Sequence, residues 1–139
     1  MSNNPSLDIV TFLESEGIGK RMTDLFTIAD QGAFENRPLA IIVRSPSGAG
    51  VPEVTEPVDY PSVTISIAGN YGQDGESKVY DKANEVYNAL RLVLDAKISG
   101  TLYLCIRAMS SPAHVGLDEN KRTVIEFNVD LIRYTGEVE

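Results

Sequence analysis

The chain has 139 residues, 20 acidic against 12 basic side chains, a formal net charge of −8 and one cysteine. That length suits one domain with a core large enough to need no disulfide or metal staple, and a lone Cys105 makes no internal bridge, which fits a reducing compartment. The acid excess excludes a protein that grips nucleic acid through clustered Lys and Arg, and no apolar run reaches the ~20 residues that cross a bilayer.

The opening MSNNPSLD lacks the cationic run and apolar core of a signal segment, so the expectation is a soluble protein made inside the cell. Ser6 reads as the N-cap of a first helix, with Asp8 in its first turn and Ile9, Val10, Phe12 and Leu13 at helical spacing; the step Gly17 to Gly19 ends it. Lys20 to Asp30 suits either a helical turn or a short strand, and the strand is preferred. Pro38 excludes a helix before it, and PLAIIVRS reads as a strand with Leu39, Ile41 and Val43 on one face.

Residues 45–59 hold three prolines and two glycines without apolar periodicity, a long irregular loop of the kind that is usually functional or disordered. In SVTISIAGN, Val63, Ile65 and Ile67 alternate with Ser62, Thr64 and Ser66, the pattern of a strand with one wet face. After the turn NYGQDG, the stretch Ser77 to Ala96 places Val79, Ala83, Val86, Tyr87, Leu90, Val93 and Leu94 at helical spacing. That predicts a long helix lying on a sheet, capped by Asp74 or Ser77, with Lys97 at the negative pole of its dipole and Gly100 completing its end.

TLYLCIRAMS then reads as a strand with Leu102, Leu104, Ile106 and Ala108 inward, and SPAHVGLDENKR as a polar connection. The final strand, TVIEFNVDLIRYTGEV, turns Ile125, Phe127, Val129 and Leu131 inward and Glu126, Asn128 and Asp130 outward. The expected fold is therefore a single α+β domain over residues 1–139: a mostly antiparallel four- to five-stranded sheet, two helices packed on one face, and a polar opposite face.

No constellation argues for catalysis. His114 stands alone in a loop, and a solvated histidine is the commoner reading. Cys105 falls mid-strand, where a cysteine is usually a small filler. Asp118, Glu119 and Asn120 lack the alternating ligand spacing of a calcium loop, and the glycines at 48, 50, 72 and 75 lack the lysine of a phosphate loop. No cofactor and no metal are called for.

What remains is a small acidic domain with two long loops, 45–59 and 110–122, the profile of a binding or structural subunit. The helix VYDKANEVYNAL followed by GTLYLCIRAMSSPAHVGLDENKRTVIEFNVDLIRY resembles the tail terminator and minor capsid proteins of long-tailed bacteriophages. There a helix precedes a strand, a loop of Pro, Gly, Asp and Arg, and a last strand with an aromatic and an Asn, here Pro112, Gly116, Asp118, Arg122, Phe127 and Asn128. The resemblance spans residues 60–135. It implies a virion protein assembled in the host cytoplasm as a hexameric ring, which caps the tail tube protein, stops its polymerisation and offers a platform to the head-completion or neck proteins. DNA passes such a ring without specific binding, and no membrane is involved. Within that implication, Glu53, Glu56, Asp59, Glu126 and Asp130 are candidates for an acidic channel lining, and Ser47, Gly48, Val51 and Val54 for the loop that meets the tube or the next subunit. The competing readings are another ring-forming virion component, such as a head-completion or tube protein, and a ligand-binding α+β domain using Arg107, His114 and Asp118.

Overall fold

A computed structural model describes residues 4–30, 33–34, 37–45, 57–69, 75–118 and 122–134. The first helix, α1, runs Pro5–Ser15. Its cap is Asn4, whose side-chain oxygen accepts from the amides of Ser6 at 2.9 Å and Leu7 at 3.4 Å, while Pro5 takes the first helical position. Ser6 thus lies inside the first turn rather than capping it, and its hydroxyl shares a 2.6 Å hydrogen bond with that of Ser45. Gly17, at φ 76°, ends the helix as expected: the Ile18 amide donates back to the Leu13 carbonyl at 3.1 Å, a closure that needs a left-handed residue.

Eight strands follow: β1 Leu25–Thr27, β2 Leu39–Arg44, β3 Val58–Asp59, β4 Ser62–Gly69, β5 Leu92–Ile98, β6 Thr101–Ala108, β7 Ala113–Leu117 and β8 Thr123–Tyr134. The second helix, α2, spans Gly75–Leu90 between β4 and β5. The sheet order is β1-β2-β4-β8-β6-β5, antiparallel except for β1 beside β2. The twelve-residue β8 is the spine. One of its edges pairs β4 and then β3, and the other pairs β7 and then β6. The class is α+β, with a broader sheet than the four to five strands expected.

Three elements account for the difference. Residues 91–96 do not continue α2, because their apolar spacing also suits a strand, and as β5 they pair with β6 from Leu92 opposite Arg107 to Ile98 opposite Thr101. Ser99 and Gly100, at φ 50° and 83°, form the two-residue left-handed turn that matches the twist of an antiparallel hairpin. Lys97 is therefore a strand residue and not a dipole partner, Ser77 lies within the helix, and Asp74 is outside the described residues. The expected polar connection contains β7, and the expected long loop ends in β3; both are short strands that, among the described residues, take their register from β8.

Both helices pack on one face. Ile9, Val10 and Leu13 of α1 and Val79, Ala83, Val86 and Leu90 of α2 bury against Ile41 and Val43, Ile65 and Ile67, and the inward row Ile125, Phe127, Val129 and Leu131. α1 touches β1 and β5, the two ends of the sheet order, so the sheet curls around it. Gly69 is where α2 comes closest: a Cβ there would lie 2.1 Å from a methyl of Val79. Gly69→Ala is expected to push the helix off β4 at a cost of about 1–3 kcal/mol, read as a lowered denaturant midpoint; an unchanged midpoint contradicts that packing.

Two expectations about faces fail for identifiable reasons. In β6 it is Tyr103 that is fully buried, while Leu102 and Leu104 are half-exposed, because the pairing with β8 slips by one residue between Tyr103 and Cys105. A bulge of this kind reverses which residues face the core. The second face of the sheet is also not wet throughout. Phe26, Phe34, Ala40 and Ile42 form a smaller apolar cluster there, with the two rings 5.8 Å apart. Thr64 and Ser66 are buried as well, since the ion pair from Arg44 on β2 to Glu126 on β8 spans β4.

Candidate interaction surfaces

β8 displays its outward residues over the second face of the sheet, and the side chains of Glu126 and Asn128 are tied to neighbouring strands. The hydroxyl of Ser66 donates to Glu126 at 2.6 Å, Arg44 donates to the same carboxylate at 3.1 Å, and Thr64 donates to the Asn128 side chain at 2.9 Å. Asp130 stands opposite Arg107 of β6. Asp59 in β3 accepts from Arg133 at 3.0 and 2.7 Å, a two-pronged contact with little freedom. Of the five acids proposed for a channel lining, Asp59, Glu126 and Asp130 are described, and the first two carry a cationic partner. Glu53 and Glu56 lie outside the described residues, as do Ser47, Gly48, Val51 and Val54.

The family-like residues resolve into parts of one hairpin. Pro112 precedes β7, and Gly116 sits within it at φ 125°, at the irregularity where the β7–β8 pairing shifts register. Asp118 and Arg122 close the turn between the strands: the Arg122 amide donates to Asp118 Oδ1 at 2.9 Å and its Nε to Oδ2 at 2.7 Å. The rest of the guanidinium reaches across the fold to the carbonyls of Phe34 at 2.8 Å and Arg37 at 3.0 Å, and the residue is only 3% exposed. Phe127 lies in the core with Tyr87 of α2 edge-on at 5.6 Å, and Asn128 is on the outer face. Four of the six therefore shape the hairpin, and Phe127 anchors it beneath α2.

A buried polar chain that periodicity does not announce runs beside this hairpin. Tyr103 donates its hydroxyl to Asp8 of α1 at 2.5 Å, and its register partner on β8 is Arg133, which in turn holds Asp59. Burial, then the Asp8 carboxylate, pushes the Tyr103 hydroxyl far above its ordinary range. The hydrogen bond to Asp59 raises the Arg133 guanidinium in the same way. One sequence signal was available: Arg133 continues the inward row Ile125 to Leu131, and a charge at inward parity needs a buried partner.

Because the folded-state value of Tyr103 lies above the unfolded value near 10, its stabilising contribution is complete below about pH 10 and is lost as pH rises through the folded value. Tyr103→Phe is expected to cost about 1–2 kcal/mol at neutral pH, where Asp8 loses a donor, and to flatten the alkaline loss of stability. Melting curves of both proteins between neutral and strongly alkaline pH test this; parallel curves defeat it.

At the other end of the sheet, the Arg21 guanidinium bonded to Asp30 holds that carboxyl below its usual range. A depressed folded value stabilises above the unfolded one and is lost as pH falls through the folded one, so this contact belongs to acid lability.

The residues of the ligand-binding reading do not converge. Arg107 faces Asp130 and His114 pairs with Ile125, five residues apart along β8 or about 16 Å, and Asp118 is engaged by Arg122. One concavity on the described surface is an open groove of about 350 Å³ between Thr11, Phe12 and Ser15 of α1 and residues 96–99 of β5 and its turn, away from Arg107, His114 and Asp118. Among the described residues, no three His, Cys, Asp or Glu side chains cluster as a metal site, and no helix is long and apolar enough to cross a membrane.

The sequence matches the family model described as bacteriophage tail terminator protein over residues 12–135, from within α1 to just past the end of β8. No curated protein matches the chain.

Proposed function

The chain belongs to the bacteriophage tail terminator family, and from that premise we propose that it caps the growing tail tube as a hexameric ring, ends polymerisation there, and presents the surface on which the head-completion proteins dock. A structural role in the phage tail follows from the family; the ring, its six-fold number and the partners are our reading. The match over nearly the whole domain carries it. Supporting it are the net charge of −8, a sheet in which, among the described residues, the edge strand β5 has a strand on one side, and an outer face bearing Glu126, Asn128 and Asp130.

In that ring the polar outer face of β8 turns toward the channel. Carboxylates there repel phosphate and leave DNA free to slide, whereas Lys and Arg clusters grip it with a strong salt dependence. The segment carrying Ser47, Gly48, Val51 and Val54 is assigned to the contact with the tube or the neighbouring subunit. The protein acts by fitting surfaces together and performs no chemistry.

Tails assembled without this chain are expected to have tubes of uncontrolled length, and adding it back is expected to restore a uniform length with density at the head-proximal end. Native mass spectrometry of the released cap should give six copies. Tubes of normal length in its absence overturn the terminator role.

A further inference from the structure

We infer that Ser6, Asp8, Tyr103 and Arg133 are positioning residues for docking: through them the first turn of α1 holds both points, Ser45 and Asp59, between which the contact segment runs. The inference rests on the assignment of that segment to a docking contact and adds to it what fixes the segment's two ends.

One tie is direct. Ser45 stands one residue past β2, and its hydroxyl shares a 2.6 Å hydrogen bond with that of Ser6, which is itself buried. The other tie runs through the interior in three links. Asp8, buried as completely, accepts from the Tyr103 hydroxyl at 2.5 Å. Tyr103 stands opposite Arg133 and its oxygen interacts with that guanidinium, which holds both oxygens of Asp59 at 3.0 and 2.7 Å. Residues two apart on a helix point to different sides, so a single turn reaches two separate places. That turn is in turn fixed, because Asn4 caps it and Pro5 takes its first position.

The polar chain contributes direction more than stability. Apolar side chains of similar volume often stabilise an interior as well as a buried ion pair does, or better. A two-pronged contact, by contrast, accepts Asp59 in one orientation. β3 needs such a hold: it has two residues, each with one register partner on β8, and a ladder that short does not keep its own end in place. A segment whose ends are held in advance loses less freedom on docking, so residues that never touch the partner add to its affinity.

Tyr103→Phe and Ser6→Ala test this, with Gly69→Ala as a variant of lowered stability at the other end of β8, where Gly69 stands opposite Thr123. In the free protein, amide exchange at residues 58–60 and 133–134 is expected to speed up by about 10-fold in Tyr103→Phe relative to the rest of β4 and β8. Asp59→Asn, which removes the last link directly, is expected to do the same. In tails lacking the chain, Tyr103→Phe and Ser6→Ala are expected to need about 10-fold more added protein than the wild type to restore a uniform length. Gly69→Ala is expected to restore it at the wild-type concentration. Unchanged exchange at 58–60 in Tyr103→Phe overturns the inference, because α1 then does not reach β3. Restoration by both Tyr103→Phe and Ser6→Ala at the wild-type concentration overturns it as well. So does an equal deficit in Gly69→Ala, since lost stability alone then accounts for the effect. A wild type that does not restore length overturns the terminator reading, and the exchange comparison on the free protein then decides by itself whether α1 holds β3.

Discussion

Phe127→Ala is expected to lower the free energy of unfolding by about 3–5 kcal/mol, a large part of the ~5–15 kcal/mol that holds a domain of this kind together. The ring is almost fully buried in the middle of β8, the strand to which four others are hydrogen-bonded. Its loss empties a space walled by the edge-on Tyr87 ring and by β4, where Ile65 is its register partner. The surrounding strands are locked by their ladders and cannot collapse into the cavity, which is the condition under which large-to-small changes cost most. Urea unfolding followed by circular dichroism reads the effect as a shift in midpoint at constant slope. A loss below about 1 kcal/mol would show that Phe127 is not a core residue.

Arg122→Ala is expected to cost about 3 kcal/mol or more, because a buried cation bonded on several sides leaves several groups without a partner when it goes. The carbonyls of Phe34 and Arg37 lose their donor, and Asp118 loses the Nε contact. The same guanidinium fastens Phe34, 88 residues away in sequence, and Arg37 to the end of the β7–β8 hairpin. The variant should therefore also loosen the small cluster of Phe26 and Phe34, seen as faster amide exchange in β1 and β2. Arg122→Lys is expected to recover only part of the loss, since one ammonium cannot reproduce the planar fork that reaches three acceptors at once. Full rescue by lysine would mean that charge alone matters at this position.

The resemblance seen in Pro112, Gly116, Asp118, Arg122, Phe127 and Asn128 pointed to the family that the match over residues 12–135 establishes. What those residues do was not legible in the same way. Asp118 and Arg122 are separated by four positions and read as members of one connection, and they do bond to each other, but the acceptors on the far side of the guanidinium belong to another part of the chain. The Asp8–Tyr103 bond joins residues 95 apart, and no local pattern encodes such a pair.

The sequence by itself determined the α+β class, the presence and type of α1, β2, β4 and β8, and the inward rows of β4 and β8, because apolar residues at period 3.6 or 2 commit a segment to one buried face; the expected continuation of the last strand through 135–138 lies outside the described residues. Only the tertiary structure decided where α2 stops, which side of β6 faces the core, and that residues 113–117 form a strand. Each of those turns on pairing with a distant partner: residues 92–98 are apolar enough for either period and become β5 by binding β6, the slip between Tyr103 and Cys105 is fixed by its fit to β8, and β7 has no periodicity of its own and is held as a strand by the edge of β8. Hydrogen-bond ladders between remote segments set register, and a segment's own residues carry no information about which neighbour it will meet.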